Sequence, residues 1–266
     1  MTTAATVPSD TQSTAYIFSK AEGVLAGVDV AMKVFHKVDS ELTTNNFYQD
    51  GDVIHHGHKI CEISGPVSSI LTAERTALNF LGRMTGIATK TAQYVKAVNG
   101  LHAKILDTRK TMPTMRHLDK YAVRVGGGSN HRFGLFDMVL IKDNHIAIAG
   151  GIRIAVENVV TMLEEKDLSL KIEVECKSYE DVLEAIYTQV DIIMLDNMEI
   201  GELEKSVHTV RDSVNEHGRR IRVEASGNVD INSVREIAET GVDYISVGSL
   251  THSVSNHDYS LLFDEL

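Results

Sequence analysis

KIEVECKSYEDVLEAIYTQVDIIMLD, residues 171–196, decides the fold of this chain. It opens on a short β-rich run, KIEVE (171–175), crosses a helix-like stretch at 178–188 and closes on a second apolar run, DIIML (191–195). Strands joined this way are parallel, because a parallel pair needs a crossover where an antiparallel pair needs only a tight turn. Working outward, the pattern recurs in AKILD (103–107), MVLIK (138–142), RVEAS (222–226) and YISVG (244–248). Six strands, spaced by roughly twenty to thirty residues, leave room for one crossover helix each. Helices are predicted at 151–165, 178–188, 200–214 and 230–239, the last capped by Asp230. The first 70 residues read differently. A helix is predicted near 29–38, and FYQDGDVIHHGHKICEISG (47–65) carries Asp-Gly and His-Gly punctuation that suggests hairpin turns. A small α+β domain therefore precedes the parallel sheet, and the helical segment 71–98 links the two, with a break expected at Gly82 or Gly86.

Composition narrows the function. At 266 residues and 43% hydrophobic content the chain can bury a large core. Cys61 and Cys176 stand far apart without C-x-x-C spacing, which indicates neither a disulfide framework nor a thiolate zinc site. The first twenty residues lack a basic and then apolar leader pattern, and no run of about 18 apolar residues occurs, so the expectation is a cytoplasmic protein without a membrane partner. The formal charge of -11 argues against nucleic-acid binding, which needs a basic face to replace counterions on phosphates. Between Lys104 and His145, however, eight Lys/Arg stand against four Asp. A cationic island in an acidic chain focuses a small polyanion, although a solvated charged face would give the same count.

The chemistry collects where the strands end. Strand one runs into Asp107-Thr108-Arg109-Lys110, strand two into Lys142-Asp143-Asn144-His145, strand three ends at Glu175 and strand four at Asp196-Asn197. Strand five gives Glu224, Ser226, Gly227 and Asn228, and strand six Gly248 and Ser249. The carboxyl rim is where αβ barrels build active sites. Arg109 and Arg132 offer planar forks for carboxylates, while Lys110 and Lys142 offer compact charges for phosphates. Glu175 and Asp196, one βα unit apart, are hard oxygen ligands of the kind that holds magnesium on a pyrophosphate; the same pair would also balance the cations. SGN (226–228) and VGS (247–249) place small residues where backbone N–H groups can approach a phosphate, as a tight turn without ligand also would.

Other signals carry less. VGGGSNH (125–131) lacks the context of a dinucleotide-binding fingerprint and reads as a flexible loop delivering His131 and Arg132. His55, His56 and His58 lie at a probable turn without helical spacing for a metal. His131 could bind a carboxylate or shuttle a proton.

ERTALNFLGRMTGIAT (74–89), ILDTRKTMPTMRHLDKYAVRVGGGSNHRFGLFDMVLIKDNHI (105–146), IEVEC, MLDN, VEASGN and SVGSLTHS together resemble the quinolinate phosphoribosyltransferase family, from about residue 15 to the end. The resemblance implies an α/β protein with an N-terminal open α/β sandwich completed by the C-terminal tail (1–86 with 249–266), and an incomplete TIM-like barrel of about six or seven strands (87–248). It implies transfer of a phosphoribosyl group from phosphoribosyl pyrophosphate to quinolinate with loss of carbon dioxide, giving nicotinate mononucleotide, with Mg2+ and no organic cofactor, in a homodimer. By that similarity Arg109, His131 and Arg132 hold the quinolinate carboxylates, with Arg75 donated by the neighbouring subunit. Lys110, Lys142, Glu175 and Asp196 form the phosphoribosyl pyrophosphate and magnesium group, with Ser226, Gly227, Asn228, Gly248, Ser249 and His252 near phosphate. The chain departs from the family at Met112-Pro113-Thr114, where Thr-Pro-Gly is more usual, a change expected to stiffen that loop. The nearest rival is a paralogous transferase acting on another pyridine carboxylate; a rival of another class is a barrel that binds a phosphorylated regulator without turnover.

Overall fold

The computed structural model describes residues 2–213 and 220–264. In chain order the elements are α1 (Thr2–Thr6), β1 (Gln12–Ser19), β2 (Gly23–Val24), α2 (Val28–Val38), β3 (Thr43–Asn46), β4 (Val53–Ile54), β5 (Lys59–Pro66), α3 (Val67–Ala97), β6 (Lys104–Leu106) and α4 (Arg116–Val125). They continue with β7 (Val139–Ile141), α5 (Asp143–Ala149), α6 (Ile152–Glu165), β8 (Ile172–Cys176), α7 (Tyr179–Ala185), β9 (Ile192–Asp196) and α8 (Ile200–Asp212). The last are β10 (Arg222–Ser226), α9 (Val234–Glu239), β11 (Tyr244–Ser246), α10 (Ser249–His252) and β12 (Tyr259–Phe263).

Two compact units share these elements. The first comprises Met1–Ala92, Thr111–Gly127 and Ser249–Leu266, the second Gln93–Lys110 and Gly128–Gly248. The segment 111–127, expected in the barrel region, thus groups with the first unit.

In the first unit an antiparallel sheet runs in the order β12-β1-β5-β3, so the tail strand closes one edge. Ile17, Ile60 and Ile63 from its strands bury against Phe35 of α2 and Ile70, Ala77 and Leu81 of α3. In α2 the buried positions Val28, Ala31, Met32 and Phe35 follow the helical period, which is why one face of this helix seats on the core. The turns expected at Asp-Gly and His-Gly in 47–65 form at 50–51 and 56–57, but the strands they join are not nearest neighbours in sequence: β3 and β5 pair antiparallel with each other, and β4 between them pairs with β2. The expected break in the long helix is also overturned. Helix α3 passes through Gly82 and Gly86 without interruption, because both glycines are contact points rather than hinges. A Cβ at Gly82 would lie 2.8 Å from the His257 carbonyl oxygen, and at Gly86 only 2.3 Å from that of Ser255.

Thr114 occupies the left-handed region, φ 66, in a turn closed by Met115 N–H donating to Met112 O. Proline followed by a left-handed residue is the arrangement in which glycine is preferred, and a β-branched residue is strained there. Thr114→Gly is therefore expected to raise stability by about 1 kcal/mol net of glycine's added chain entropy, or roughly 2–4 °C in Tm by thermal circular dichroism. An unchanged or lower Tm would show that the turn is not strained.

In the second unit all six expected strands form one parallel sheet, in the order β6-β11-β10-β9-β8-β7. No seventh strand joins it among the described residues. Ser178 caps α7, its hydroxyl accepting from Asp181 N–H while the Asp181 carboxylate accepts from Ser178 N–H, and the helix is shorter than predicted. Asp230 caps earlier than expected: it accepts from Asn232 and Ser233 N–H in the turn before α9, which starts at Val234. Helix α8 ends at Asp212, and residue 214, the predicted end, lies outside the described residues.

Candidate functional site

Because the six strands are parallel, their carboxyl ends lie along one edge of the sheet, and the residues that follow gather there. Asp107, fully buried just past β6, organises the first part. Its carboxylate accepts from Asn130 Nδ2 at 2.6 Å and from His131 N–H at 2.9 Å. Ser129 N–H donates to Ile105 O and Asp107 N–H to Ser129 O, so Ser129 forms a single parallel bridge with Leu106 of β6. The reading of the triple-glycine stretch as a flexible loop is therefore wrong. Gly126 is there because a Cβ would sit 2.4 Å from the Ala88 carbonyl oxygen, and Ser129 to His131 are tied by backbone and carboxylate bonds.

Arg132 follows. Its guanidinium donates from Nη1 to Met138 O at 3.1 Å, and Asp137 accepts from Phe133 and Gly134 N–H to close the loop between. Burial lowers the Arg132 pKa from its ordinary value and the nearby Arg109 charge lowers it further, with Glu173 and Asp137 opposing. Two neighbouring guanidinium groups, one exposed at 109 and one partly buried at 132, favour a dianionic occupant.

Lys142, past β7, donates to Glu175 Oε2 at 2.7 Å. Glu175, buried at the end of β8, also faces Asp196 at the end of β9. Burial and the Glu175 charge push the Asp196 carboxyl up, while Lys142 and Lys177 pull it down. Two carboxylates held together, with cations beside them, suit a hard divalent ion. Past β10, Gly227 takes φ 92 and lies so close to Asn197 that a Cβ would stand 2.8 Å from Asn197 N. Asn228 Nδ2 donates to Asn197 Oδ1 at 2.8 Å, and both asparagines are left-handed. The small residue at 227 is thus required by the neighbouring strand-end loop. Gly248 follows β11, where Val247 N–H donates to Leu106 O.

In the first unit, α3 carries the predicted Arg75 and two cations the sequence reading did not single out, Arg83 and Lys90. Arg75 is exposed, with Glu74, 3.9 Å away, its only acidic neighbour within 4 Å among the described residues. Arg83 forms a two-point pair with the buried Asp119, at 2.9 and 2.7 Å, and donates to Thr251 O; Asp119 also accepts from Met112 N–H. Lys90 Nζ donates to Ser249 O and Ser253 O. Together with the close contacts at Gly82 and Gly86, one face of α3 grips the segment 249–257, and with it Ser249 and His252. The histidines at 55–58 do something else: His58 stacks on Tyr48 and His55 lies 3.3 Å from Glu22.

The sequence reading named Glu224 at a strand end but missed Glu173 and the group the two form with His131. Glu173 and Glu224 are buried on β8 and β10, and His131 Nε2 lies 3.1 Å from Glu173 Oε2 and 3.6 Å from Glu224 Oε1. Glu173 shares a strand face with Glu175 by simple alternation, a signal present in KIEVE. Burial pushes the carboxyls of both Glu173 and Glu224 up, to about 8. By proximity alone the three side chains could surround a metal ion, their ligand atoms lying within 4.8 Å of one another.

Comparison with known proteins agrees with this geometry. The family description "Quinolinate phosphoribosyl transferase, N-terminal domain" matches residues 1–85, and its C-terminal counterpart matches residues 87–262. A mitochondrial quinolinate phosphoribosyltransferase [decarboxylating] of Nicotiana tabacum is 43% identical over 99% of this chain and 77% of its own length. A probable nicotinate-nucleotide pyrophosphorylase [carboxylating] of Bacillus subtilis is 41% identical over 93% of this chain and 82% of its own. The crystal structure of NadC from Streptococcus pyogenes superposes with a TM-score of 0.90 at 40% identity, covering 99% of this chain and 91% of that one.

Proposed function

The chain belongs to the quinolinate phosphoribosyltransferase family and makes the pyridine nucleotide precursor of NAD by phosphoribosyl transfer with decarboxylation; from that premise we propose how its residues divide the work. Arg109 and Arg132 hold the pyridine dicarboxylate, with His131 supporting Arg132 from the buried side, and Lys110 and Lys142 hold the phosphoribosyl pyrophosphate. Ser226, Gly227, Asn228 and Gly248 surround phosphate in the second unit, and for Ser249 and His252 in the first the same role rests on the family likeness. The observation that carries the division is the grouping at the rim: Arg109 lies near enough to Arg132 for its charge to lower the Arg132 pKa, while Lys142, Glu175 and Asp196 form a separate group of mixed charge.

Glu175 and Asp196 would hold Mg2+, which when bound supplies positive charge to the departing pyrophosphate. Loss of that group from ribose C1 develops positive charge on the sugar, and Lys110 and Lys142 neutralise the leaving oxygens. Attack by the pyridine nitrogen makes it quaternary. That charge stabilises the electron pair left on the ring when the adjacent carboxylate departs as carbon dioxide, so no organic cofactor is needed. Fixing both carboxylates turns the nitrogen toward C1, which is catalysis by orientation.

A homodimer with Arg75 serving the partner's site belongs to the same proposal. Its support is the exposure of Arg75, together with Leu135 and Phe136, two large apolar side chains left open to solvent. A cytoplasmic location fits two buried free thiols.

Substitution separates the two groups. Glu175→Ala or Asp196→Ala is expected to weaken magnesium-dependent binding of phosphoribosyl pyrophosphate by about a hundredfold while quinolinate affinity holds. Arg132→Ala should do the reverse. Calorimetry with each ligand reads both, and quinolinate affinity unchanged in Arg132→Ala would remove that residue from the pyridine site.

A further inference from the structure

Glu173 and Glu224 have no part in the division just given, yet they lie buried in the strands directly beneath it. They stand on β8 and β10, with β9 between them, so their strands are roughly 10 Å apart across the sheet. Both carboxylates nevertheless reach one imidazole nitrogen, which places them on the concave side of a curved sheet. Oxygens Oε1 and Oε2 of Glu173 and Oε1 of Glu224 make no well-directed hydrogen bond among the described residues. Buried carboxylates in that condition destabilise a core that leucine or methionine would fill better. Their presence calls for a purpose other than stability.

The histidine between them supplies one. Arg132 N–H donates to His131 Nδ1 at 2.7 Å. An imidazole nitrogen that accepts a hydrogen bond carries no proton, so in the neutral ring the proton is on Nε2, the nitrogen that faces Glu173 and Glu224. The same bond argues against a metal among the three residues. A metal on Nε2 would require the proton on Nδ1, where it would collide with the Arg132 N–H. Carboxylates facing Nε2 therefore favour the ring state that the Arg132 backbone needs. Glu173 also lies near enough to Arg132 for its charge to oppose the effect of Arg109 on that guanidinium.

We propose that Glu173 and Glu224 are positioning residues for the pyridine dicarboxylate: facing His131 Nε2, they hold the ring in the one tautomer and orientation whose Nδ1 accepts the Arg132 N–H, and so fix the start of the loop that carries the Arg132 guanidinium. The proposal rests on Arg132 binding quinolinate. It makes His131 a strut between the strand interior and the rim, Nδ1 accepting the Arg132 N–H and Nε2 lying 3.1 and 3.6 Å from the two carboxyls, so that His131 serves the pyridine site by holding Arg132 and not by binding a carboxylate itself. Asp107 completes the strut from the other side by accepting the His131 N–H. Neither glutamate needs to touch the substrate.

The test uses the full-length enzyme, Glu224→Leu to remove one of the two carboxyls facing Nε2 at similar volume, Glu224→Gln to keep a side-chain oxygen facing it, and Arg132→Ala as the reference. Ring-nitrogen 15N NMR, with the His131 signals identified by their loss in His131→Asn, reads the tautomer. Calorimetry reads quinolinate and phosphoribosyl pyrophosphate separately, and thermal unfolding confirms the fold. In the unmodified enzyme His131 should carry its proton on Nε2. Glu224→Leu should lose the single-tautomer pattern and weaken quinolinate binding by about tenfold or more, with phosphoribosyl pyrophosphate affinity within about twofold of wild type. Glu224→Gln should restore both the pattern and the quinolinate affinity.

A proton on Nδ1 in the unmodified enzyme overturns the proposal, and this holds even if Glu224→Leu does not fold. So does a folded Glu224→Leu that binds quinolinate normally, or one that loses both ligands in equal measure. If Arg132→Ala abolishes quinolinate binding while Glu224→Leu leaves it intact, only the positioning role falls. If Arg132→Ala binds quinolinate as wild type does, the assignment of the pyridine site falls and the proposal with it.

Discussion

Arg75→Ala and Lys142→Ala subunits, each nearly inactive alone, should recover roughly a quarter of wild-type activity when unfolded and refolded together in equal amounts. The expectation follows from geometry and counting. Lys142 stands at the sheet rim paired with Glu175, whereas the Arg75 side chain projects from α3 into solvent, with Glu74 its only acidic neighbour within 4 Å among the described residues. If Arg75 completes the site of a partner, random pairing makes about half the dimers mixed, and each mixed dimer carries one intact and one doubly damaged site. If Arg75 serves its own chain, every site in a mixed dimer lacks one charge and nothing returns. Mass spectrometry of the refolded sample establishes that mixed dimers formed. Absence of recovery in their presence would refute a shared site.

Nicotinate, which lacks the 2-carboxylate, should be a poorer substrate than quinolinate by about a thousandfold or more in kcat/KM. Burial disfavours the Arg132 charge, and the nearby Arg109 charge disfavours it further. A dicarboxylate relieves both. A monocarboxylate leaves one guanidinium partly desolvated without its partner, a mismatch that costs several kcal/mol where a site is built to hydrogen-bond the missing group. In discriminating by charge the site also selects the substrate that can lose carbon dioxide. Steady-state assays with each acid and saturating phosphoribosyl pyrophosphate check this. Equal turnover would mean that the guanidinium pair does not set specificity.

The first unit shows where pattern reading stops. Glycine within a helical sequence marks a weak point only if nothing packs against it, and at Gly82 and Gly86 the chain of residues 254–257, more than 160 positions away, lies against the helix. The same holds for Gly126, read as slack and found in contact with Ala88. Pairing of β3 with β5 across an intervening strand is likewise a choice among partners that local turn residues do not make.

The amino-acid sequence by itself determined the six parallel strands and the residue types at their carboxyl ends. Strand formation follows from short β-branched runs, and alternation together with parallel pairing then sends Arg109, Lys142, Glu175, Asp196 and Ser226 to one rim whatever the details of packing. Only the tertiary structure decided what lies beneath that rim. Glu224 reads in sequence as one strand-end acid and Glu173 as one acid among many, and nothing local tells that β8 and β10, separated by another strand, curve enough to bring both to the ring of His131. Sheet curvature is a collective property of twist and packing across all six strands, so the contact it creates is written in no single segment.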